Sequence, residues 1–168
     1  MKPAPRTLPR TWLTRRRGLQ ALALLGLGAG WGRGALASGK VLPLSTSLPQ
    51  ELARALKAKQ PLVVMVSLHR CPWCEEVRNN YLAPMREREQ LPVVEVEMLS
   101  PKATRTLAGE DISHEGLVRA WDVKVAPTLL FLGRGGQEVA ERLVGGSPDF
   151  YAAYLDRRLE GARAALTA

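Results

Sequence analysis

Two side chains in this sequence have the type and spacing for covalent chemistry: Cys71 and Cys74, the only cysteines of the 168-residue chain, in the stretch "SLHRCPWCEEVR". Thiols separated by two residues can form a redox-active disulfide, half of a metal site, or a small structural crosslink. A crosslink closing four residues stabilises a fold by only about 2 kcal/mol in the chain-entropy model, against about 3 kcal/mol for a fifteen-residue loop. A closed metal site needs further soft ligands, and beyond the cysteines the sequence after residue 37 offers His69, His114, Met65, Met85 and Met98. Transport of Cu(I) by the two thiolates is the metal reading that this set allows. As a redox pair, the residues have a defined division of labour. If a helix starts at Pro72, Cys71 is its cap and Cys74 lies one turn on, on the same side. The positive end of the helix and the first-turn N–H groups then stabilise a Cys71 thiolate, with Arg70, and His69 when protonated, adding to it. Cys71 is the expected nucleophile and Cys74 the buried thiol that resolves the mixed disulfide.

The elements that must hold this pair are legible on either side of it. "PLVVMVSL", residues 61–68, is a continuous apolar run rich in β-branched residues, the pattern of a strand buried on both faces. Before it, Ser47 and Gln50 form a capping-box pattern for a helix over about residues 49–59, ended by Pro61. After it, "PWCEEVRNNYLA" predicts a helix from Pro72, with Glu75 and Glu76 complementing its start and Pro84 ending or kinking it. "LPVVEVEML", residues 91–99, predicts a second strand in which Val94, Val96 and Met98 alternate with Glu95 and Glu97. A polar loop containing Pro101 and Gly109 should follow, then a short helix capped by Ser113 and running to Trp121. "VAPTLLFL", the turn "GRGGQ" and "EVAERLVGG" predict a hairpin. A last helix from Ser147 and Pro148 places Tyr151, Leu155, Leu159, Ala162 and Leu166 on one stripe. Alternating helices and strands, then a hairpin and a closing helix, predict an α/β domain with a central mixed β-sheet flanked by helices. Trp121 and Phe131 belong to its core, and His69 and His114 are expected on the solvated surface.

Composition is that of a folded globular chain, 46% hydrophobic and 24% charged. The net charge of +8 would suggest nucleic acid, but seven of the 24 basic residues lie in residues 1–37 without a single acid. The remainder carries 17 basic against 16 acidic residues, so no nucleic-acid partner is expected. Residues 1–37 have the order of an export signal: a basic start, an apolar run from Leu19 to about Trp31, and "ALA" at Ala35 to Ala37 before Ser38. "TRRRGLQ" resembles a twin-arginine signal, departing at Gly18 and Gln20. The expected organisation is a cleaved signal peptide, 1–37, and one domain, 38–168, delivered to the periplasm, where two cysteines are ordinarily oxidised.

Strand, C-x-x-C, helix and "AWDVKVAPTLLFLGRGGQEVAERLVGG" follow one another in the order of the thioredoxin superfamily, which the chain resembles across nearly all of residues 45–166. The resemblance implies a thioredoxin-like fold with Pro127 as a cis-proline facing the dithiol. It further implies that Ala126 offers backbone hydrogen bonds to an extended substrate and that Gly145 leaves room on the other side of the groove. Trp73 is then an exposed contact for partners or a lid over Cys74. Pro72-Trp73 and Arg70 depart from the thioredoxin pattern of Gly-Pro preceded by an aromatic residue, and Met65 stands where thioredoxins carry a buried acid. The activity implied is thiol:disulfide exchange with protein substrates by a monomer, with no cofactor beyond the Cys71–Cys74 disulfide. Absence of an inserted helical domain and likeness to thioredoxin around "VAPTLLFL" favour a reductant over an oxidant or isomerase. Such a reductant requires a membrane-embedded thiol-transfer donor of electrons. A Cu(I)-binding carrier is the alternative built on the same two thiols.

Overall fold

A computed structural model describes residues 40–146 and 149–167. The export signal, the Ser38 start and the Ser147–Pro148 helix start lie outside the described residues. Four strands make the central sheet: β1 (Leu62–Ser67), β2 (Val93–Glu97), β5 (Thr128–Leu132) and β6 (Glu138–Val144). Their order is β2-β1-β5-β6, with β1 and β2 parallel and the remaining pairs antiparallel. The mixed sheet is therefore as expected, and β5–β6 is the hairpin turned by residues 133–137. The chain entering the domain lengthens the sheet beyond β2, where the Ser45 N–H donates to the Glu95 carbonyl and the Glu95 N–H to that of Pro43, at 2.9 and 2.8 Å.

Period-two alternation sorts the strand residues onto two faces. Leu62, Val64, Val66, Val94, Val96, Leu130 and Leu132 pack against helix α1 (Leu48–Lys57) and helix α4 (His114–Ala120). On the other face, Val63, Met65, Val93, Leu129 and Phe131 meet Cys74, Val77 and Leu82 of the helical run after β1 and helix α5 (Tyr151–Thr167). The stripe Tyr151, Leu155, Leu159, Ala162 and Leu166 is buried along its length, and Phe131 is core with Trp121 packed at the edge of the opposite cluster. The helix itself begins at Tyr151, later than the sequence suggests, because Phe150 sits at φ 63° in the preceding turn.

Several local expectations change. The helical run after β1 continues through Pro84 to Glu89, as α2 (Pro72–Val77), a π-helical segment (Arg78–Leu82) and α3 (Ala83–Glu89). A proline removes one donor and crowds the preceding turn. The wider turn absorbs this, the Ala83 N–H donating five residues back to the Arg78 carbonyl. Helix α1 starts at Leu48, and Ser47 makes no side-chain cap. Its start is instead held by the buried Glu51 carboxylate, which accepts from the Thr46 and Ser47 N–H groups and the Ser45 hydroxyl. One charged acceptor serving three donors there outcompetes the neutral Gln50 amide, which stays exposed. The polar loop after β2 folds into a second, two-stranded sheet, β3 (Ala103–Arg105) with β4 (Asp111–Ser113). Ser113 does cap α4, accepting from the Gly116 N–H at 3.0 Å.

His114, expected on the surface, is fully buried. Its Nδ1 accepts the Glu97 N–H at 3.1 Å and its Nε2 lies 2.8 Å from the Ser45 carbonyl, so the Nε2–H tautomer satisfies both neighbours. The imidazole thereby ties α4 to the end of β2 and to the entering chain. Among the described residues no helix is long and apolar enough to cross a membrane.

Candidate active site

Cys71 stands where β1 gives way to α2, after a sharp change of direction at Arg70, which is exposed and has φ 54°. Cys71 has extended backbone angles and is the N-cap; Pro72 follows at the first helical position, where its missing N–H costs nothing. Cys71 and Cys74 form a disulfide, with Cα atoms 5.2 Å apart. The Cys74 N–H donates to Cys71 Sγ at 3.1 Å, and the Cys71 carbonyl accepts from the Cys74 and Glu75 N–H groups, both at 3.0 Å. A first-turn donor aimed at Cys71 Sγ favours negative charge there once the bond is opened. Cys74 is completely buried, whereas Cys71 is half-buried. An incoming sulfur therefore reaches Cys71.

The loop before β5 forms the facing wall. The Ala126–Pro127 peptide is cis, and the Ala126 carbonyl oxygen lies 4.0 Å from Cys71 Sγ. Two hydrogen bonds pin this loop: the Thr128 hydroxyl donates to the Val125 carbonyl at 2.7 Å, and the Gly145 N–H to the Pro127 carbonyl at 2.8 Å. Val125 is exposed beside Ala126 in sequence, and the exposed Val144 is brought there by its pairing with Thr128. Trp73, on the first turn of the dithiol helix, exposes half of its surface as well. The rim around Cys71 is thus apolar and open, while the chemistry below it is ordered.

Gly145 and its neighbour divide the expected role. At Gly145 φ is +85° and an added Cβ would meet nothing within 4 Å, so this glycine serves the backbone conformation rather than clearance. Clearance belongs to Gly146, where a Cβ would stand 2.8 Å from Trp73 Cβ and 3.4 Å from Pro127 Cγ. Gly146 is the point at which the dithiol helix and the proline loop close on each other. The tandem "GG" hints at such an approach, but its target is set by the tertiary fold.

A second feature escaped the sequence reading. Glu95 follows Val94 in β2 and pairs in register with Met65 of β1, which puts its side chain on the face of the dithiol helix. It is 5% exposed. Arg78, four residues after Cys74, donates from Nε to Oε2 at 3.1 Å and from Nη2 to Oε1 at 2.5 Å. Bonding to Glu95 holds the Arg78 guanidinium even more firmly protonated than usual, outweighing the effect of its own partial burial. Further out on β2, the Lys102 ammonium 2.8 Å away keeps the Glu97 carboxyl below its ordinary range. Among the described residues no group of three or more His, Cys, Asp or Glu side chains is arranged to hold a metal ion.

The profile of a thioredoxin-like domain matches residues 48–158. Similar solved structures include the DsbH oxidoreductase, 18% identical over 77% of this chain and 88% of that one, with a TM-score of 0.49. A thioredoxin from Thermus thermophilus is 21% identical over 71% of this chain and 87% of its own, at a TM-score of 0.48. The periplasmic thioredoxin SoxS from Paracoccus pantotrophus is 21% identical over 61% and 99%, at 0.40. No curated protein matches the sequence. With the family profile spanning the helix before β1, the dithiol, the proline loop and the start of the closing helix, the chain belongs to the thioredoxin-like domain family.

Proposed function

We propose that this protein is an exported thiol:disulfide oxidoreductase that reduces disulfides in protein substrates, with Cys71 as nucleophile and Cys74 as resolving thiol. The observation that carries this reading is the asymmetry of the pair: Cys71 is reachable at the helix cap and receives the Cys74 N–H, while Cys74 is sealed beneath it. In the reduced protein, the Cys71 thiolate attacks one sulfur of a substrate disulfide. The other substrate sulfur leaves as a thiolate and takes a proton from solvent. Cys74 gives its proton to water and attacks Cys71 Sγ, and the second substrate sulfur leaves as a thiolate that takes a proton from solvent. The two electrons gained by the substrate are those lost in forming the Cys71–Cys74 disulfide. Trp73, Ala126 and Pro127 shape the substrate groove, closed at Gly146, with the Ala126 backbone pairing with an extended peptide.

The export-like order of residues 1–37 supports action in the periplasm, and a reductant there draws its electrons from a membrane-embedded thiol-transfer partner. Equilibrium titration of the purified protein in glutathione or dithiothreitol buffers, followed by tryptophan fluorescence, tests the direction. A potential well below about −200 mV is expected of a reductant, whereas one near −120 mV assigns an oxidant or isomerase. A pair that cannot be cycled removes the catalytic reading and leaves Cu(I) binding to be measured.

A further inference from the structure

Beyond residue 37 the sequence is nearly neutral, with 17 basic and 16 acidic residues, but the fold does not spread these charges evenly. Among the described residues, nine basic side chains face an acid at 3.9 Å or less. Eight have no acidic partner there, and five of these, Arg54, Lys57, Lys59, Arg86 and Arg88, are exposed at the ends of α1 and α3. Strand direction brings them together. Helix α1 leads into the start of β1 and α3 into the start of β2, and the two strands are parallel, so both helices finish at one edge of the sheet. Cys71 follows the opposite end of β1. We propose that this basic end is a docking surface for the anionic phospholipid headgroups of a membrane. Docking there keeps the protein at the surface that houses its proposed electron donor, while the dithiol at the far end stays open.

An open cleft of about 680 Å³ separates the two helix ends, with Arg54 and Ala58 on one side and Arg86 and Gln90 on the other. The acids at these ends do not cancel the charge. Glu87 and Glu89 are already faced by Lys40 at 3.8 Å and by Arg163 at 3.9 Å. Glu51, also on the cleft, turns both oxygens to donors at the start of α1. Basic residues commonly complement the negative end of a helix, but Lys59 lies beyond α1, and at the end of α4 the corresponding Arg119 is matched by Glu115. Two observations favour a bilayer over an acidic protein. Among the described residues no large apolar side chain is exposed on α1 or α3, so the surface offers ionic contacts without the apolar centre of a protein interface. The chain also joins the domain at this edge: it runs parallel to β2 where Leu44 pairs with Glu95, which sets Lys40 level with the start of β2, beside Glu87. From the end of the apolar run near Trp31 to Lys40 is nine residues, at most about 30 Å of chain. A chain held at a bilayer by that run therefore has this end within reach of the headgroups.

Protein expressed from the full-length sequence carries the same N-terminus in every variant, so comparing variants isolates the basic end. Co-sedimentation is measured with vesicles of equal parts phosphatidylglycerol and phosphatidylcholine, and with phosphatidylcholine alone. The parent should bind the anionic vesicles only, and should be released when salt is raised from about 0.05 M to about 0.5 M. Each cation at such a surface is worth about fivefold in affinity, so the variant combining Lys57→Gln, Lys59→Gln, Arg86→Gln and Arg88→Gln should bind roughly 500-fold more weakly. A control combining Lys102→Gln, Arg105→Gln, Arg119→Gln and Lys124→Gln removes as many exposed positive charges elsewhere and should stay within a few-fold of the parent. Equal losses in the two variants, or equal binding of the parent to both kinds of vesicle, would overturn the inference. So would a parent that is held by a heparin column yet leaves both vesicles unbound, which assigns the surface to an acidic polymer. If the fourfold variant does not fold, the pair Lys57→Gln with Lys59→Gln and the pair Arg86→Gln with Arg88→Gln decide separately, each with an expected loss of about 25-fold. Vesicle binding requires neither export nor disulfide exchange. Its failure leaves the proposed function untouched, and a dithiol that cannot be cycled leaves the docking surface standing.

Discussion

Substituting alanine at Gly146 and separately at Gly145 tests whether the closure between the dithiol helix and the proline loop is as tight as it looks. At Gly146 the new Cβ would lie 2.8 Å from Trp73 Cβ and 3.4 Å from Pro127 Cγ. Relieving the first contact to an ordinary separation of about 3.4 Å needs a movement of about 0.6 Å. The obstructing atom is a Cβ fixed to the helix backbone, so rotating the Trp73 side chain cannot supply that movement; the first turn of α2 must shift or the proline loop must retreat. Overpacking of this kind costs about 1–3 kcal/mol. Because catalytic geometry loses about a hundredfold in rate per ångström of misplacement, about tenfold slower disulfide exchange is expected. Gly145→Ala is the control. It meets no atom but places an alanine at φ +85°, a backbone penalty of about 1–2 kcal/mol. The two variants should thus lose comparable stability in urea titrations, while only Gly146→Ala loses exchange rate when turbidity of reduced insulin is followed. Equal rates in the two variants, or an unperturbed Gly146→Ala, would refute the reasoning.

Two further outcomes follow from buried polar groups. Tyr151 is buried against Tyr81, with ring centroids 5.0 Å apart, and its hydroxyl has no hydrogen-bond partner among the described residues. Desolvation raises its pKa well above the ordinary value of 10.0, so its stabilising contribution is complete below pH 10 and is lost as pH rises beyond it, where the unfolded chain ionises first. Tyr151→Phe should be neutral or stabilising at pH 7 and should flatten the alkaline limb of a plot of urea midpoint against pH; a loss above about 1 kcal/mol at pH 7 would contradict the unpaired hydroxyl. His114→Leu removes the acceptor of the Glu97 N–H and the donor to the Ser45 carbonyl, leaving two backbone groups unpaired in the interior. A loss of about 3 kcal/mol is expected, read from thermal and urea unfolding, and a change under about 0.5 kcal/mol would show that the imidazole is not a structural link.

What could be read from residue order was whatever local physics decides. A β-branched run with no charge in it has little choice but an interior strand, and "PLVVMVSL" is one. A proline directly after a cysteine can start a helix but not sit inside one without cost, so Cys71 fell at the cap and Cys74 one turn on. The five-residue stripe of the last helix declared its buried face for the same reason. The surface position expected for His114 fails, and the role of Glu95 stays hidden, because in both cases the partner lies far away in sequence. Glu95 alternates with valines as a surface residue would, but its guanidinium partner is seventeen positions earlier on the facing helix. His114 finds its carbonyl at Ser45, sixty-nine positions away. Glu51 rather than Gln50 holds the start of α1 because Ser45 and Thr46 fold back over it.

Residue order was enough for the succession of elements, the dithiol at a helix cap and the proline at the entry to a strand, since hydrophobic period, proline placement and cysteine spacing act over a single turn or pleat. Three-dimensional packing, in contrast, makes Gly146 and not Gly145 the place where the two walls meet, and pairs a buried glutamate of β2 with an arginine of the dithiol helical run. Those facts depend on which helix lies over which strand and at what distance. That distance is fixed by the packing of two sheet faces at once, so no stretch of neighbouring residues contains it.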